Sequence, residues 1–148
     1  MFQFLQTYGP SIGMWDIHSG VDIGLLQNDA RQSVSNDLDT CFMLDNTFHW
    51  IECKSASNSQ SLPDELYKIY AVTQNTGALR VRAHLATLDA RIDHWLRNDS
   101  HFESLERARL MRINVIPRST LLEAADAWES DDAERCGALI RTMIAVQQ

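Results

Sequence analysis

Cysteine, proline and glycine are all scarce, at three, three and six of 148 residues. An odd cysteine count without ligand-like spacing excludes a disulfide scaffold and a zinc ribbon, and it fits reduced thiols and a cytoplasmic setting. The five histidines (18, 49, 84, 94 and 101) show no zinc-ligand spacing either. There is no glycine-rich phosphate loop, which leaves a small-nucleotide binder without support. No run approaches the ~18 apolar residues of a membrane span. Met1-Phe2-Gln3-Phe4 has neither the basic segment nor the long apolar core of a secretory signal. No membrane partner is expected. Positive charge is in deficit too: 13 Lys and Arg against 20 Asp and Glu give a formal net charge of -7, against the basic footprint of a nucleic-acid binder. The deficit is uneven. Arg80, Arg82, Arg91, Arg97, Arg107, Arg109, Arg112 and Arg118 gather in mid-chain, while the stretch beyond Arg118 is acidic.

What is present begins with an ordinary globular composition, 45% hydrophobic and 22% charged. The length fits one domain, residues 1–148, with a sizeable core. The most informative stretch is Asn36 to Ser55. Two runs rich in β-formers, Leu38–Leu44 and Thr47–Lys54, flank Asp45-Asn46, a pair suited to a two-residue hairpin turn. With that turn, Leu44 faces Thr47, Met43 faces Phe48 and Cys41 faces Trp50. Continued outward, the register sets Asp39 opposite Glu52 and Asp37 opposite Lys54, all four on one face because strand side chains alternate. Cys41 and Cys53 fall on opposite faces, which argues against a bridge between them. Like charges directly opposed are destabilising, and a broken local rule of this kind marks a candidate functional site. A hard divalent cation resolves the conflict, since Mg²⁺ is held by one or two carboxylates plus phosphate oxygens. The bland alternative is a solvated hairpin end in which Lys54 pairs with Asp37 and nothing is bound.

Asp39 together with Ile51-Glu52-Cys53-Lys54-Ser55 resembles the signature of the PD-(D/E)xK nuclease superfamily, in which an Asp on one strand and an E-x-K on the next form a metal site. Asn36-Asp37-Leu38-Asp39, the E-C-K-S run and Leu66-Tyr67-Lys68-Ile69 further resemble the nuclease domain of CRISPR ancillary effectors activated by cyclic oligoadenylates. The resemblance covers roughly Asn36 to Pro117. It implies a divalent-metal-dependent nuclease acting on DNA or RNA with Mg²⁺ or Mn²⁺. The partners implied are the nucleic-acid substrate, a second copy of the chain in a homodimer, and a sensor domain or protein separate from this chain. Asp39, Glu52 and Lys54 would be catalytic. Asp39 and Glu52 would hold the metal, with the Cys53 backbone carbonyl as a third ligand. Lys54 would orient the attacking water and stabilise charge on the phosphate. Asp37, where relatives carry Glu, would be a supporting partner of Lys54. Tyr67 and Lys68 would contact substrate or support the site; their bland reading is a core aromatic and a solvated amine. Ser55 reads as a local hydrogen-bonding group, with no histidine near it in sequence to activate it. The chain departs from the superfamily pattern in its short first helix, with no acid before Asp16. A non-catalytic nucleic-acid-binding or assembly module that keeps the fold is the rival function.

The remaining pattern predicts an α/β domain with a restriction-endonuclease-like mixed β-sheet flanked by helices. A short helix comes before Gly9-Pro10, and a strand over Trp15–Leu26 leads to the hairpin through a polar loop, Gln27 to Ser35. Ser55 to Ser61 is a second polar loop. Pro63, Asp64 and Glu65 open a helix, the acids favourably placed at its positive end, with Gly77 as terminator. Leu79 to Leu88 alternates as a strand with Arg80, Arg82 and His84 on the polar side. A short helix follows around Ile92 and Trp95, and a capping box at Ser100–Glu103 opens another. A strand at Ile113–Ile116 and helices from Thr120 and Asp131 complete the chain, the last with an apolar stripe of Cys136, Leu139, Ile140, Met143 and Ile144. His49 shares a hairpin face with Phe42 and Ile51, so it reads as a satisfied core histidine. The tryptophans at 15, 50, 95 and 128 read as core.

Overall fold

The computed structural model describes residues 1–27, 30–55, 62–76, 80–98 and 102–145. Five strands form one sheet in the order β1 (Trp15–Gln27), β2 (Ala30–Leu44), β3 (Thr47–Lys54), β4 (Val81–Thr87), β5 (Ile113–Ile116). The first three are antiparallel neighbours, and β4 and β5 run parallel to β3. Parallel neighbours need long crossovers. These are α2 (Leu62–Asn75) between β3 and β4, and α3 (Ala90–Asn98) with α4 (Phe102–Leu110) between β4 and β5. The helices α1 (Phe2–Tyr8), α5 (Arg118–Glu129) and α6 (Ala133–Ile144) complete the fold. This is the mixed α/β sheet expected from the pattern.

Strand alternation divides the core in two. Phe42, Ile51, Ala86 and Ile116 turn to one face and meet Phe4 and Leu5 of α1, Ala124 and Ala127 of α5, and Cys136, Ile140 and Met143 of α6. Cys41, Trp50, Leu85 and Val115 turn to the other and meet Leu66 and Ile69 of α2, Ile92 of α3 and Ala108 of α4. The apolar stripe expected on the last helix is the buried stripe of α6, whose first turn is capped by Asp132 accepting from the Arg135 amide at 3.0 Å. All three cysteines are free.

Several expectations need correction. Gln27 to Ser35 is not one loop: β1 reaches Gln27 and β2 starts at Ala30, with Leu26 paired to Arg31 and Leu25 to Gln32. Backbone ladder bonds carry this polar stretch, and composition alone does not report them. His84 does not join Arg82 on a solvated side. It is 1% exposed, because β4 lies between two parallel neighbours with both faces covered. The helix expected from Thr120 starts at Arg118, since Pro117 in an extended conformation takes the cap position. Trp15 is exposed, while Trp50 is buried and Trp95 and Trp128 pack on the two cores. Gly77, the residues of the second polar loop after Ser55, and Ser100 and His101 of the capping box lie outside the described residues.

His49 and His84 join the strands inside the sheet. His49 Nδ1 lies 3.0 Å from His84 Nε2, and its ring stacks between Phe42 and His84. Asn114 Nδ2 donates to the Met143 carbonyl and approaches His84 Nδ1 at 3.4 Å. The tautomers that satisfy this chain put the proton of His84 on Nε2, donating to His49, with both rings neutral. Burial, the largest cause for each, with the Arg82 charge adding to both, lowers His49 to about 4 and His84 to about 3. Below the ordinary histidine value of ~6.5 the unfolded chain therefore takes up protons that the folded one does not. Their contribution is complete above pH ~6.5 and is lost as pH falls toward 4, at up to about 1.4 kcal/mol per pH unit for each ring. Urea unfolding at pH 7, 6 and 5 should show falling midpoints; a flat profile would mean that the rings protonate inside the folded sheet.

Candidate active site

The site grows out of the β2–β3 hairpin. Asp45 and Asn46 both have positive φ, 49° and 57°, the conformation of a type I′ turn that matches strand twist. The ladder then runs Leu44–Thr47, Met43–Phe48, Cys41–Trp50 and Thr40–Ile51, in the expected register. There the recorded pairing ends. Beyond it β2 stays with β1, where Leu38 pairs with Val21 and Asp37 with Asp22, while β3 continues beside β4 to Lys54–Thr87. In place of a ladder bond, the Cys53 N–H donates to Asp39 Oδ2 at 2.7 Å. A carboxylate thus takes the acceptor position that a departing strand left open.

Glu52 and Lys54 lie on the face covered by α2, because they alternate with buried Trp50. Lys54 Nζ is 2.6 Å from Glu52 Oε1 and 3.7 Å from Glu65 Oε2 of α2, whose other carboxylate oxygen is 3.7 Å from Lys68 Nζ. Burial pushes the Glu52 carboxyl up; the Lys54 contact opposes this and the charges of Asp39 and Glu65 reinforce it. Burial works against the Lys54 ammonium, yet its bond to Glu52 and the charges of Glu52, Glu65 and Asp39 hold its pKa above the usual lysine value. Its acidic neighbours therefore favour the ammonium form of Lys54 in the metal-free site.

The structure brings Asp39, Glu52, Cys53 and Lys54 together at the carboxyl end of β3. Asp37 is placed differently from the expected pairing with Lys54. It faces Asp22, whose hydrogen bond and charge raise its pKa, with burial and Asp39 adding less. The ladder beyond Thr40 belongs to β1, so the hairpin register no longer governs that end. Among the described residues the ion-pair partners of Lys54 are Glu52 and Glu65. Ser55 is exposed and, with Cys53 and Lys54, lines a cavity of about 510 Å³ bounded by Met1, Leu88 and Trp128. Tyr67 is not a core aromatic: it is half exposed, with the Arg107 guanidinium over its ring at 5.4 Å from the centroid. Lys68 meets the site through Glu65, 3.7 Å away. Sequence reasoning missed Glu65, which it took for a helix-dipole acid. The available signal was an acid in the first turn of the helix that follows E-x-K, facing the strand that carries it.

The donor set fits a hard cation with few protein ligands. Asp39 and Glu52 bring two carboxylates to this end of the sheet, and the Asp39 charge acts on Glu52, while among the described residues no group of three or more His, Cys, Asp or Glu could hold a metal ion. One or two carboxylates are what a Mg²⁺ site typically draws from protein, water and phosphate supplying the rest. In a strand the N–H and C=O of one residue point to the same edge. Since the Cys53 N–H points to Asp39 and the Lys54 carbonyl toward β4, accepting from Leu88, the Cys53 carbonyl faces the Asp39 side. Desolvation, and then the Asp39 carboxylate, push the Cys53 thiol up to about 11, although the residue as a whole is exposed.

A mixed sheet flanked by helices, with an Asp-bearing strand beside an E-x-K strand, is a restriction-endonuclease-like α/β domain. A family model described as "Card1-like, endonuclease domain" matches residues 3–128, so the chain belongs to that endonuclease-domain family. Similar solved structures include protein VC1899 from Vibrio cholerae, with a TM-score of 0.65, 19% identity, and coverage of 92% of this chain and 33% of that one. Can2 from Sulfobacillus thermosulfidooxidans, solved in complex with cyclic tetra-adenylate, gives 0.62 at 18% identity, covering 97% and 35%. AF1548, a protein of unknown function, gives 0.51 at 17% identity, covering 80% and 58%. The chain thus spans about a third of the first two relatives. Comparison with curated proteins gives no match.

The Asp39–Cys53 bond makes a stability prediction independent of any reaction. Asp39→Ala leaves the Cys53 amide to water and should cost about 1 kcal/mol, while Asp39→Asn, which keeps an acceptor oxygen, should cost less than half of that. Equal losses in denaturant unfolding would show that the carboxylate does not carry this end of β3.

Proposed function

We propose that the chain hydrolyses phosphodiester bonds in DNA or RNA as a divalent-metal-dependent nuclease, using Mg²⁺ or Mn²⁺, in CRISPR-linked or other defence. One observation carries this reading: Asp39 accepts from the Cys53 amide at 2.7 Å and Lys54 lies 2.6 Å from Glu52, which sets all three side chains at the open end of the hairpin. Asp39, Glu52 and the Cys53 carbonyl would hold the cation. When bound, it supplies Lewis acidity toward the phosphate and lowers the pKa of a coordinated water. Asp39 is fixed for this by the Cys53 amide, and Glu52 by its place on the strand. Lys54, kept protonated by its acidic neighbours, donates to the attacking water and to the phosphate oxygens as negative charge grows on them. Membership of an endonuclease-domain family supports the reaction class. The likeness to Can2, solved with cyclic tetra-adenylate, supports control by a nucleotide sensor on another domain or protein. No helix of the described residues is long and apolar enough to cross a membrane.

The rival is an assembly module that keeps the fold, and the lean donor set is the observation that favours it. Plasmid and single-stranded RNA cleavage with Mg²⁺, Mn²⁺ and chelator separates the two. Mn²⁺ at ten times its Kd should raise the melting temperature by roughly 3–6 °C, an effect abolished in Asp39→Ala. Lys54→Ala should keep or enlarge that shift while single-turnover cleavage drops by about 10²–10³. Unchanged cleavage in Lys54→Ala removes the mechanism, and wild-type protein that binds Mn²⁺ without cutting any nucleic acid favours the module.

A further inference from the structure

Glu65 has no part in the nuclease reading so far, yet its place on α2 is specific. Its side chain is 13% exposed, and it sits between two ammonium groups with one carboxylate oxygen toward each. The distance to Lys54, 3.7 Å, is outside hydrogen-bond range but within that of an ion pair. Lys54 meanwhile sits on Glu52 at 2.6 Å. That contact conflicts with the proposed chemistry. Glu52 cannot take a divalent cation while an ammonium rests on the same carboxylate without bringing like charges together in a partly buried site. Lys54 must move, and the second carboxylate within its reach is Glu65. Lys68 lies 3.7 Å from the other Glu65 oxygen.

Resting on the metal assignment above, we propose that Glu65 is the second seat of the Lys54 ammonium. When Asp39 and Glu52 take up a divalent cation, Lys54 passes from Glu52 to Glu65 and stays beside the reacting phosphate. In the metal-free site Lys54 is the counter-ion of Glu52, so it competes with the cation. Glu65 relieves that competition and acts as a positioning residue.

The test is calorimetric Mn²⁺ titration of the whole chain as wild type, Glu65→Gln, Lys54→Ala and the double variant, with metal-free melting curves alongside. Glu65→Gln should weaken Mn²⁺ binding about tenfold, in the usual range of coupling between sites. Lys54→Ala should bind more tightly than wild type, and in that background Glu65→Gln should have little further effect, because no ammonium needs a seat. Equal weakening in both backgrounds would make Glu65 a metal ligand and overturn the proposal. Wild-type affinity in Glu65→Gln would overturn it while leaving the nuclease reading intact, whereas a wild type that takes up no Mn²⁺ removes the metal assignment and the seat with it. If Glu65→Gln melts far below wild type, Glu65→Asp replaces it: the charge remains one methylene further from Lys54, and an intermediate loss that again disappears with Lys54→Ala supports the seat.

Discussion

The parting of β2 from β3 after the Thr40–Ile51 pair is the constraint from which the site follows. A continuous ladder would place backbone groups where Asp39 now bonds the Cys53 amide, and would crowd Asp39 directly against Glu52. The parting has a physical cause in the neighbours. β2 is held by a long antiparallel ladder with β1, and β3 by a parallel ladder with β4, so each strand follows its outer partner as the sheet twists. The gap is closed by a side chain. It leaves the Asp39 carboxylate at the strand end, with Glu52 and Lys54 in contact on the face covered by α2.

Charge is balanced around that gap by short, alternating contacts. Acid and ammonium follow one another from Glu52 through Lys54 and Glu65 to Lys68, with α2 laid along the face of β3 that carries the first two. The chain as a whole is acidic, and the same holds for this site before a cation is added. On the proposed reading, a protein of net charge -7 would act on a polyanion through local charge, part of it carried by the metal. The two buried cores secure the geometry from both sides, since burying each large apolar side chain contributes on the order of 1.5–3 kcal/mol. The His49–His84–Asn114 chain ties β3, β4, β5 and α6 together behind the site.

Local sequence determined a good deal of this. The Asp45-Asn46 turn set the hairpin register, because a two-residue turn with positive φ leaves one way to pair the flanking runs. Pro63 with its following acids marked the start of α2, and the spacing of Cys136, Ile140 and Met143 marked the buried side of α6. The ordered Asp39, Glu52 and Lys54 named the residues that meet at the strand end.

Tertiary structure decided the rest. Asp37 belongs to β1 through Asp22, since a strand in mid-sheet has two partners and a hairpin pattern reports only one. His84 is buried because β4 is interior and parallel, a fact of strand order that alternation along one segment does not contain. Polar Gln32 and Ser33 lie in a strand because backbone pairing with β1 outweighs their weak strand preference. Glu65 reaches Lys54 only because α2 packs back across β3. Eleven positions of chain separate the two residues, and no local period relates a strand lysine to a helix acid beyond a loop. Turns, periodicities and caps are short-range and can be read along the chain, whereas strand order and helix docking are settled by which faces bury the most apolar surface together.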